Sequence, residues 1–122
     1  MSHGELSADL TLDRDIYADS DTLTGRLTIR NSDPGTPGVL SFSNGQMYDL
    51  EIRDGQGNVV VLWSRGKVFP QVVSELEIHD QKEHVISVPL VKLPRGNYVV
   101  QGWFTSDGPP RVYAASARFQ IR

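Results

Sequence analysis

Apolar and polar residues alternate along most of this chain, and turn-forming residues interrupt the alternation about every 8–12 residues. In residues 6–12, every second position is Leu or Ala, and residues 23–30 repeat the pattern with Leu, Gly and Ile. A period of two predicts β-strands with one side toward solvent. No stretch of about ten residues fits the 3.6-residue period of a helix, so the pattern predicts an all-β chain.

Eight or nine short strands follow from this pattern. They are expected in residues 6–12, 23–30, 39–42, 48–53, 59–63, 76–78, 85–90, 99–104 and 112–122. Residues 59–63 are apolar throughout, which predicts a strand that is buried on both faces or covered by a neighbour. Pro70 cannot donate to a strand ladder and marks residues 68–73 as an edge or a loop. We therefore predict an immunoglobulin-like antiparallel β-sandwich that forms one domain over residues 1–122, with a closed barrel as the structural alternative.

Two turns have recognisable chemistry. Asn44-Gly45 predicts a tight turn, because both residue types tolerate a positive φ. Tyr98 follows Gly96 at the start of a predicted strand. This arrangement resembles the tyrosine corner of Greek-key sandwiches, in which the hydroxyl bonds back to the corner backbone.

Composition excludes several functional classes. The chain has 122 residues, a formal net charge of −3 and no cysteine. The absence of cysteine excludes disulfides, thiolate catalysis and cysteine-based zinc sites. Lys and Arg are scattered, which argues against nucleic-acid binding, and no apolar run approaches the roughly 18 residues of a membrane span. The N-terminal residues have no signal-peptide pattern, so we expect a cytoplasmic protein with neither nucleic acid nor membrane as partner.

Candidate catalytic residues do not form a motif. Residues 62–66, LWSRG, lack the first glycine of a nucleophile elbow and precede no helix, so Ser64 is interpreted as a turn residue. His79 and His84 flank a predicted hairpin loop at a spacing that matches no metal motif and are interpreted as solvated loop residues, and His3 lies in the N-terminal tail. We therefore expect no enzymatic activity, no cofactor and no metal.

Two weaker ligand signals stay open. The densest carboxylate cluster comprises Asp13, Asp15, Asp19 and Asp21. It is a minor calcium candidate that lacks the EF-hand spacing, and a solvated link between strands is the favoured interpretation. Trp63 and Trp103 are candidates for a sugar-binding platform, but both lie in apolar strands, which favours core or near-core positions.

Residues 42–71 contain the most specific motif of the chain. Their sequence, FSNGQMYDLEIRDGQGNVVVLWSRGKVFPQ, resembles the BsuPI family of intracellular proteinase inhibitors. Members of that family share elements similar to S-G-Q-x-Y-D-F and W-x-W-S-x-G-x-x-F-T-Q, and a later G-x-Y element matches Gly96-Asn97-Tyr98. The chain differs at Val61, where a first Trp is usual, and at Pro70, where Thr is usual.

The resemblance implies a non-enzymatic domain that inhibits a serine protease, with a subtilisin-like intracellular serine protease as partner. The residues interpreted as family scaffold are Gly45, Gln46, Tyr48, Asp49, Trp63, Gly66 and Tyr98. The residues expected to contact the partner lie in a stiff loop and are Ser64, Lys67, Val68, Phe69, Pro70 and Gln71. A preorganised loop suits a tight inhibitor because little ordering entropy is lost on binding. Residues 32–38 and 106–111, each stiffened by proline, are rival contact loops.

Side-chain chemistry suggests what holds this motif together. Alternation along residues 48–52 places Asp49 on the face opposite the core. The amides of Gln46 and Gln71 are expected to bond loop backbone, and Asp49 and Ser64 are expected to do the same at turns.

Two other functions remain as alternatives. The first is an immunoglobulin-like adaptor that binds another protein through loop contacts or by adding a strand at an edge, with residues 6–12 or 112–122 as that edge. The second is a carbohydrate-binding module, which requires Trp63 or Trp103 to be exposed in a groove.

Overall fold

A computed structural model describes residues 5–122, and it contains strands but no helix in this range. The ten strands are β1 (Leu6–Leu12), β2 (Ile16–Tyr17), β3 (Thr22–Asn31), β4 (Gly38–Phe42), β5 (Tyr48–Arg53), β6 (Val59–Leu62), β7 (Ser74–Ile78), β8 (Gln81–Pro89), β9 (Gly96–Phe104) and β10 (Ala114–Ile121). The predicted all-β class is confirmed. Accordingly, the described residues include no helix that could span a membrane.

Three sheets build the sandwich. One has the strand order β1-β3-β8, the second β2-β10-β9-β5-β6, and the third is the pair β4-β7. β2 and β10 are parallel, whereas the other described strand pairs are antiparallel. The predicted immunoglobulin-like antiparallel sandwich is therefore confirmed.

Alternate side chains of the two larger sheets meet between them and form the core. Leu27 and Ile29 on β3 and Ile86 on β8 are buried on one side, and Leu50 and Ile52 on β5 on the other. Burying each such side chain contributes about 1.5–3 kcal/mol relative to leaving it in water. Packing of this kind replaces the disulfides that the chain cannot form.

The tyrosine corner is present at the start of β9. The hydroxyl of Tyr98 donates to the carbonyl of Pro94, four residues upstream, and the Tyr98 ring stacks on Phe119 of β10 with centroids 5.3 Å apart. Burial raises the pKa of the Tyr98 hydroxyl, so it remains a donor at neutral pH. The corner thus ties the link before β9 to the interior of the five-stranded sheet.

Three details differ from the sequence-based expectations, and a fourth, at residues 68–73, matches one of the two expected alternatives. β6 is the edge of its sheet and is only partly buried, because β5 covers one side of it and no strand lies beyond. The acidic link contains the two-residue strand β2, which pairs with β10. β10 begins at Ala114 rather than 112 and lies between β2 and β9, so it is not an edge strand in the sheet order. Residues 68–73 form no strand and continue a loop.

Candidate protein-contact site

The motif places a buried carboxyl group beneath the turn that follows β6. Asp49 is buried at the start of β5, and its Oδ1 accepts from the N–H of Ser64 at 3.1 Å and from the N–H of Leu50 at 2.8 Å. Its Oδ2 accepts from the Ser64 hydroxyl and from Nε2 of Gln46 at 3.2 Å. Asp49 lies on the side of β5 away from the core, as the alternation predicts, but the turn to which it bonds covers it. Ser64 is therefore fixed through both its backbone and its side chain.

A second anchor holds the loop six residues later. The N–H of Gly45 donates to the carbonyl of Pro70 at 2.7 Å. A Cβ atom at position 45 would lie 2.6 Å from Cγ of Pro70, so only glycine permits this approach. The expected positive φ at Asn44-Gly45 is wrong, since neither residue has one. Close packing against Pro70, and not turn geometry, requires glycine here.

Aromatic rings support the loop between the two anchors. Trp63 is half-buried, and its ring centroid lies 5.0 Å from Tyr48 and 6.0 Å from Phe69. Nζ of Lys67 lies 4.7 Å from the Trp63 centroid, within cation–π range. Phe69 is consequently half-buried against Trp63, and Lys67 lies over the same ring.

The remaining side chains of the loop point into solvent. Val68 is 95% exposed and Val73 is 79% exposed, and both Pro70 and Gln71 are exposed. The loop turns at Gly66, whose φ of 79° lies in the left-handed region that glycine tolerates. Residues 64–73 therefore form a loop that is anchored at Ser64 and Pro70 and exposed between and beyond them.

The two glutamines of the motif behave differently. Nε2 of Gln46 donates to the carbonyl of Tyr48 at 3.2 Å, as the sequence suggested. Gln71 makes no side-chain hydrogen bond within residues 5–122, so the expected bond to loop backbone is wrong. An exposed amide without an intramolecular partner is free to bond a partner protein.

His84 on β8 extends the aromatic row behind the loop. Its ring lies 4.9 Å from Tyr48 and 5.7 Å from Phe104, and Nε2 is buried with no hydrogen-bond partner among the described residues. Burial lowers the pKa of His84, because the surrounding rings cannot solvate the charged imidazolium as water does. The interpretation of His84 as a solvated loop residue is therefore wrong.

One rival loop adjoins the same end of the molecule. The N–H of Asp107 donates to the carbonyl of Ser41 at 2.7 Å, and the hydroxyl of Thr105 donates to the carbonyl of Gln46 at 2.7 Å. Residues 105–111 thus lie beside the 43–47 turn that contacts Pro70. Residues 32–38, the other rival, begin next to the N-terminus of β1, where the N–H of Ser32 donates to the carbonyl of Glu5.

A buried ion-pair cluster that the sequence did not reveal fixes the 106–111 loop. Glu51 is only 1% exposed and pairs with both Arg53 and Arg111, and the Arg111 guanidinium lies 3.9 Å from the Trp103 centroid. Alternation along β5 predicts Glu51 in solvent. Its partner Arg111 lies sixty residues away in sequence, with a φ of 57°, so no local pattern links the two.

The arrangement of both tryptophans argues against a sugar-binding platform. Trp103 is 8% exposed and buried under Arg111, on the face of its sheet away from the main core cluster, so its predicted core or near-core position is confirmed. Trp63 is half-buried and lies under Lys67. Neither ring offers the open face in a groove that stacking on a sugar requires.

The acidic link uses its carboxylates for local bonds. Asp13 accepts from the Tyr17 hydroxyl at 2.6 Å and from the N–H of Thr24 at 3.1 Å, and the first of these bonds lowers the pKa of Asp13 most. Asp21 accepts from Arg14 at 2.9 Å and from the N–H of Ala18. Within residues 5–122 no three His, Asp or Glu side chains are grouped as metal ligands. His3 lies outside the described residues.

A broad depression lies at the other end of the five-stranded sheet. It encloses about 860 Å³ and is lined by Arg53, Val99 and Arg118, with the β5–β6 hairpin turn at its rim. None of the motif residues of the 64–73 loop lines it. Its openness and mixed charge do not suggest an enclosed ligand site.

An immunoglobulin-like sandwich that holds an exposed, doubly anchored loop is the class of protein that this fold and site define. Within that class, a family model described as "Intracellular proteinase inhibitor", BsuPI, matches residues 10–108. The chain therefore belongs to the BsuPI family of intracellular proteinase inhibitors, which confirms the resemblance seen in residues 42–71. No curated protein matches the chain.

Solved structures resemble the chain in fold alone. A CARDB domain from Pyrococcus furiosus, solved with di-metal ions, has a TM-score of 0.53 at 10% identity, with 97% of this chain and 88% of that chain covered. Spo0M, a sporulation control protein from Bacillus subtilis, has a TM-score of 0.58 at 10% identity, covering 97% and 49%. A cycloisomaltooligosaccharide glucanotransferase from Paenibacillus reaches 0.60 at 12% identity, covering 99% and 14%. These neighbours support the immunoglobulin-like assignment.

Proposed function

We propose that this chain inhibits a serine protease without catalysing a reaction itself, and that residues 64–71 of the 64–73 loop contact the protease. The observation that carries the proposal is the combination of exposure and anchoring in one loop. Val68 and Gln71 are exposed, whereas Ser64 is bound by Asp49 and Pro70 by Gly45. Membership of the BsuPI family is the ground for proposing inhibition, and the exposed loop is a surface suited to that activity.

The anchors act on the entropy of binding. Ordering a free loop costs about 1–2 kcal/mol per residue of backbone, and this cost is subtracted from the affinity. Bonds from Asp49 to Ser64 and from Gly45 to Pro70, with the stacking of Phe69 on Trp63, hold the loop in one shape before binding. Little further order is then needed when the protease binds.

The residues of the loop divide into two roles under this proposal. Ser64, Phe69 and Pro70 shape the loop, because each contacts the body of the domain. Val68 and Gln71 contact the protease, because each is exposed, and Lys67 lies at the boundary over Trp63. The partner is a subtilisin-like intracellular serine protease, and the complex forms in the cytoplasm.

A titration of the purified protein against a subtilisin-type intracellular serine protease tests the proposal. We expect inhibition that saturates at one equivalent and weakens at least tenfold in a double variant Val68→Asp/Gln71→Ala. Val85→Asp on β8, an exposed valine outside the loop, is the matched control and should inhibit like the wild type. Absence of inhibition at tens of micromolar, with circular dichroism of a folded sandwich, would remove the inhibitor function.

Strand addition at β1 is the second candidate, and one observation favours it. β1 pairs with β3 along its whole length and has no strand on its other side, so its outer edge is available to a partner strand. The ion pair of Asp9 with Arg30 places charge on this strand, which protects an edge against indiscriminate pairing. A pull-down that survives the loop double variant but is abolished by a proline within β1 would assign binding to this edge.

A further inference from the structure

We infer that Val68 is the side chain that enters the specificity pocket of the protease, and that this pocket is apolar and accepts a branched aliphatic residue. The inference rests on the proposed function and deepens it by naming the class of protease. At 95% exposure, Val68 is the most exposed of the large hydrophobic residues of the described chain. An apolar side chain held fully in water gains most from transfer into an apolar pocket.

The position of Val68 within the loop matches that role. The turn over residues 63–66 ends before it, and residues 67–73 have no regular structure and no turn. The two anchors, at Ser64 and Pro70, lie on either side of Val68. A segment that is anchored on both sides presents the side chain between its anchors in a fixed position. A protease pocket can then accept that side chain without first ordering the loop.

The neighbouring side chains are less suited to the pocket. Phe69 is half-buried against Trp63, and the residue after it is Pro70, which serine proteases accept poorly on the leaving side of the scissile bond. Nζ of Lys67 lies over the Trp63 ring and would have to leave it to reach an acidic pocket. Arg65 lies inside the turn, where its N–H bonds the carbonyl of Leu62. A trypsin-like protease, which requires Lys or Arg, is therefore not the class that this loop fits.

The second most exposed valine of the loop provides an internal control. Val73 is 79% exposed but lies three residues beyond the Pro70 anchor, next to β7. It has the same chemistry as Val68 but lies outside the segment between the two anchors, directly before Ser74, which pairs with Phe42 of β4. Substitutions at the two positions thus separate the effect of position from the effect of hydrophobicity.

The experiment measures inhibition constants for Val68→Gly, Val68→Lys and Val73→Gly against the subtilisin-type protease of the preceding test. We expect Val68→Gly and Val68→Lys to weaken inhibition by about 30-fold or more, as removal of a central anchor residue does, and Val73→Gly to change it by less than about threefold. Urea unfolding midpoints within error of the wild type would show that the variants remain folded. In parallel, peptide substrates with Val, Leu or Lys before the scissile bond report the preference of the same protease, and we expect Val or Leu to exceed Lys.

The possible outcomes separate this inference from the proposed function. If both Val68 variants inhibit as strongly as the wild type, the role of Val68 is overturned and the inhibitor function remains. The same conclusion follows if the protease prefers Lys before the scissile bond and Lys67→Ala abolishes inhibition. No inhibition by the folded wild type would overturn both. Loss of inhibition in the Val68 variants, together with retained inhibition in Val73→Gly, would support the inference.

Discussion

At the scale of single residues, Asp49 explains why an acidic residue is useful in a strand that is mostly buried. Burying a carboxyl group is costly unless hydrogen bonds replace the lost water. Asp49 accepts from the backbone of Leu50 and from both the backbone and the hydroxyl of Ser64. The desolvation cost is thereby offset, and the same bonds position the start of the 64–73 loop.

Replacing Asp49 should therefore reduce both stability and inhibition. We expect Asp49→Ala to lower the free energy of unfolding by about 2–3 kcal/mol, because it leaves several donors unpaired, and Asp49→Asn to cost less, because one acceptor oxygen remains. Urea denaturation measures the change. Asp19→Ala, an exposed carboxylate, is the control and should stay within about 0.5 kcal/mol. Equal losses in Asp49→Ala and Asp19→Ala would show that the bonds to Ser64 contribute nothing.

His84 should make the stability depend on pH. Because burial lowers its pKa in the folded state, the unfolded chain binds a proton more readily, and stability falls as the pH drops through the unfolded value of about 6.5. The rings that face it are those of Tyr48 and Phe104. We expect His84→Phe to flatten the decline in unfolding free energy between about pH 7.5 and 5.5, measured in urea. His79→Gln, at an exposed histidine, should not flatten it. A decline that is equally steep in His84→Phe would contradict this assignment.

At the scale of elements, the 64–73 loop depends on a turn that precedes it by about twenty residues in sequence. Gly45→Ala would put a methyl group 2.6 Å from Pro70, which forces one of the two segments to move. We expect a loss of about 1–3 kcal/mol in unfolding free energy, faster hydrogen exchange of the amide at position 45, and weaker inhibition. Gly35→Ala is the matched control, since its nearest neighbour is the Asp33 carboxylate at 3.5 Å. Unchanged exchange at position 45 would show that the Pro70 anchor is not required.

The sequence predicts elements well where alternation is long and poorly where contacts are remote. β3, with ten residues, is visible from periodicity because one face is buried along its length, whereas periodicity predicts only residues 85–90 of β8 because its first three residues are exposed and polar. An apolar run such as β6 does not reveal whether the strand is central or at the edge of its sheet, since both positions produce the same run of apolar residues. The two-residue β2 is too short for any period.

For the candidate site too, the sequence identifies individual residues but not the contacts between them. The sequence assigns Gly45 and Asp49 to the family scaffold and Ser64 and Pro70 to the contact loop. Only the folded chain reveals that they bond in pairs. Glu51 and Arg111 escape prediction altogether, because their ion pair crosses from β5 to a distant loop. A residue that alternation assigns to solvent is buried whenever a loop from elsewhere covers the sheet.

At the scale of the whole molecule, the tyrosine corner and the proposed contact loop lie at opposite ends of the sandwich. The tyrosine corner and the β5–β6 hairpin turn lie at one end, as the pairing of Asn97 with Gln120 and of Arg53 with Val99 requires. The 64–73 loop lies at the end where Tyr48 pairs with Phe104. We therefore expect substitutions at the tyrosine corner to change the free energy of unfolding without changing inhibition through the loop.

Two substitutions test this separation. Tyr98→Phe removes the hydroxyl that donates to Pro94 and keeps the ring stacked on Phe119, so we expect a loss of about 0.5–1.5 kcal/mol in unfolding free energy. Its inhibition constant at 25 °C should equal that of the wild type, because most molecules remain folded. Val68→Gly should do the opposite, with an unchanged unfolding free energy and weakened inhibition, since its side chain is in solvent in the free protein. Weakened inhibition by folded Tyr98→Phe would mean that the corner and the loop are coupled through the five-stranded sheet, and the two ends would then have to be treated as one cooperative unit.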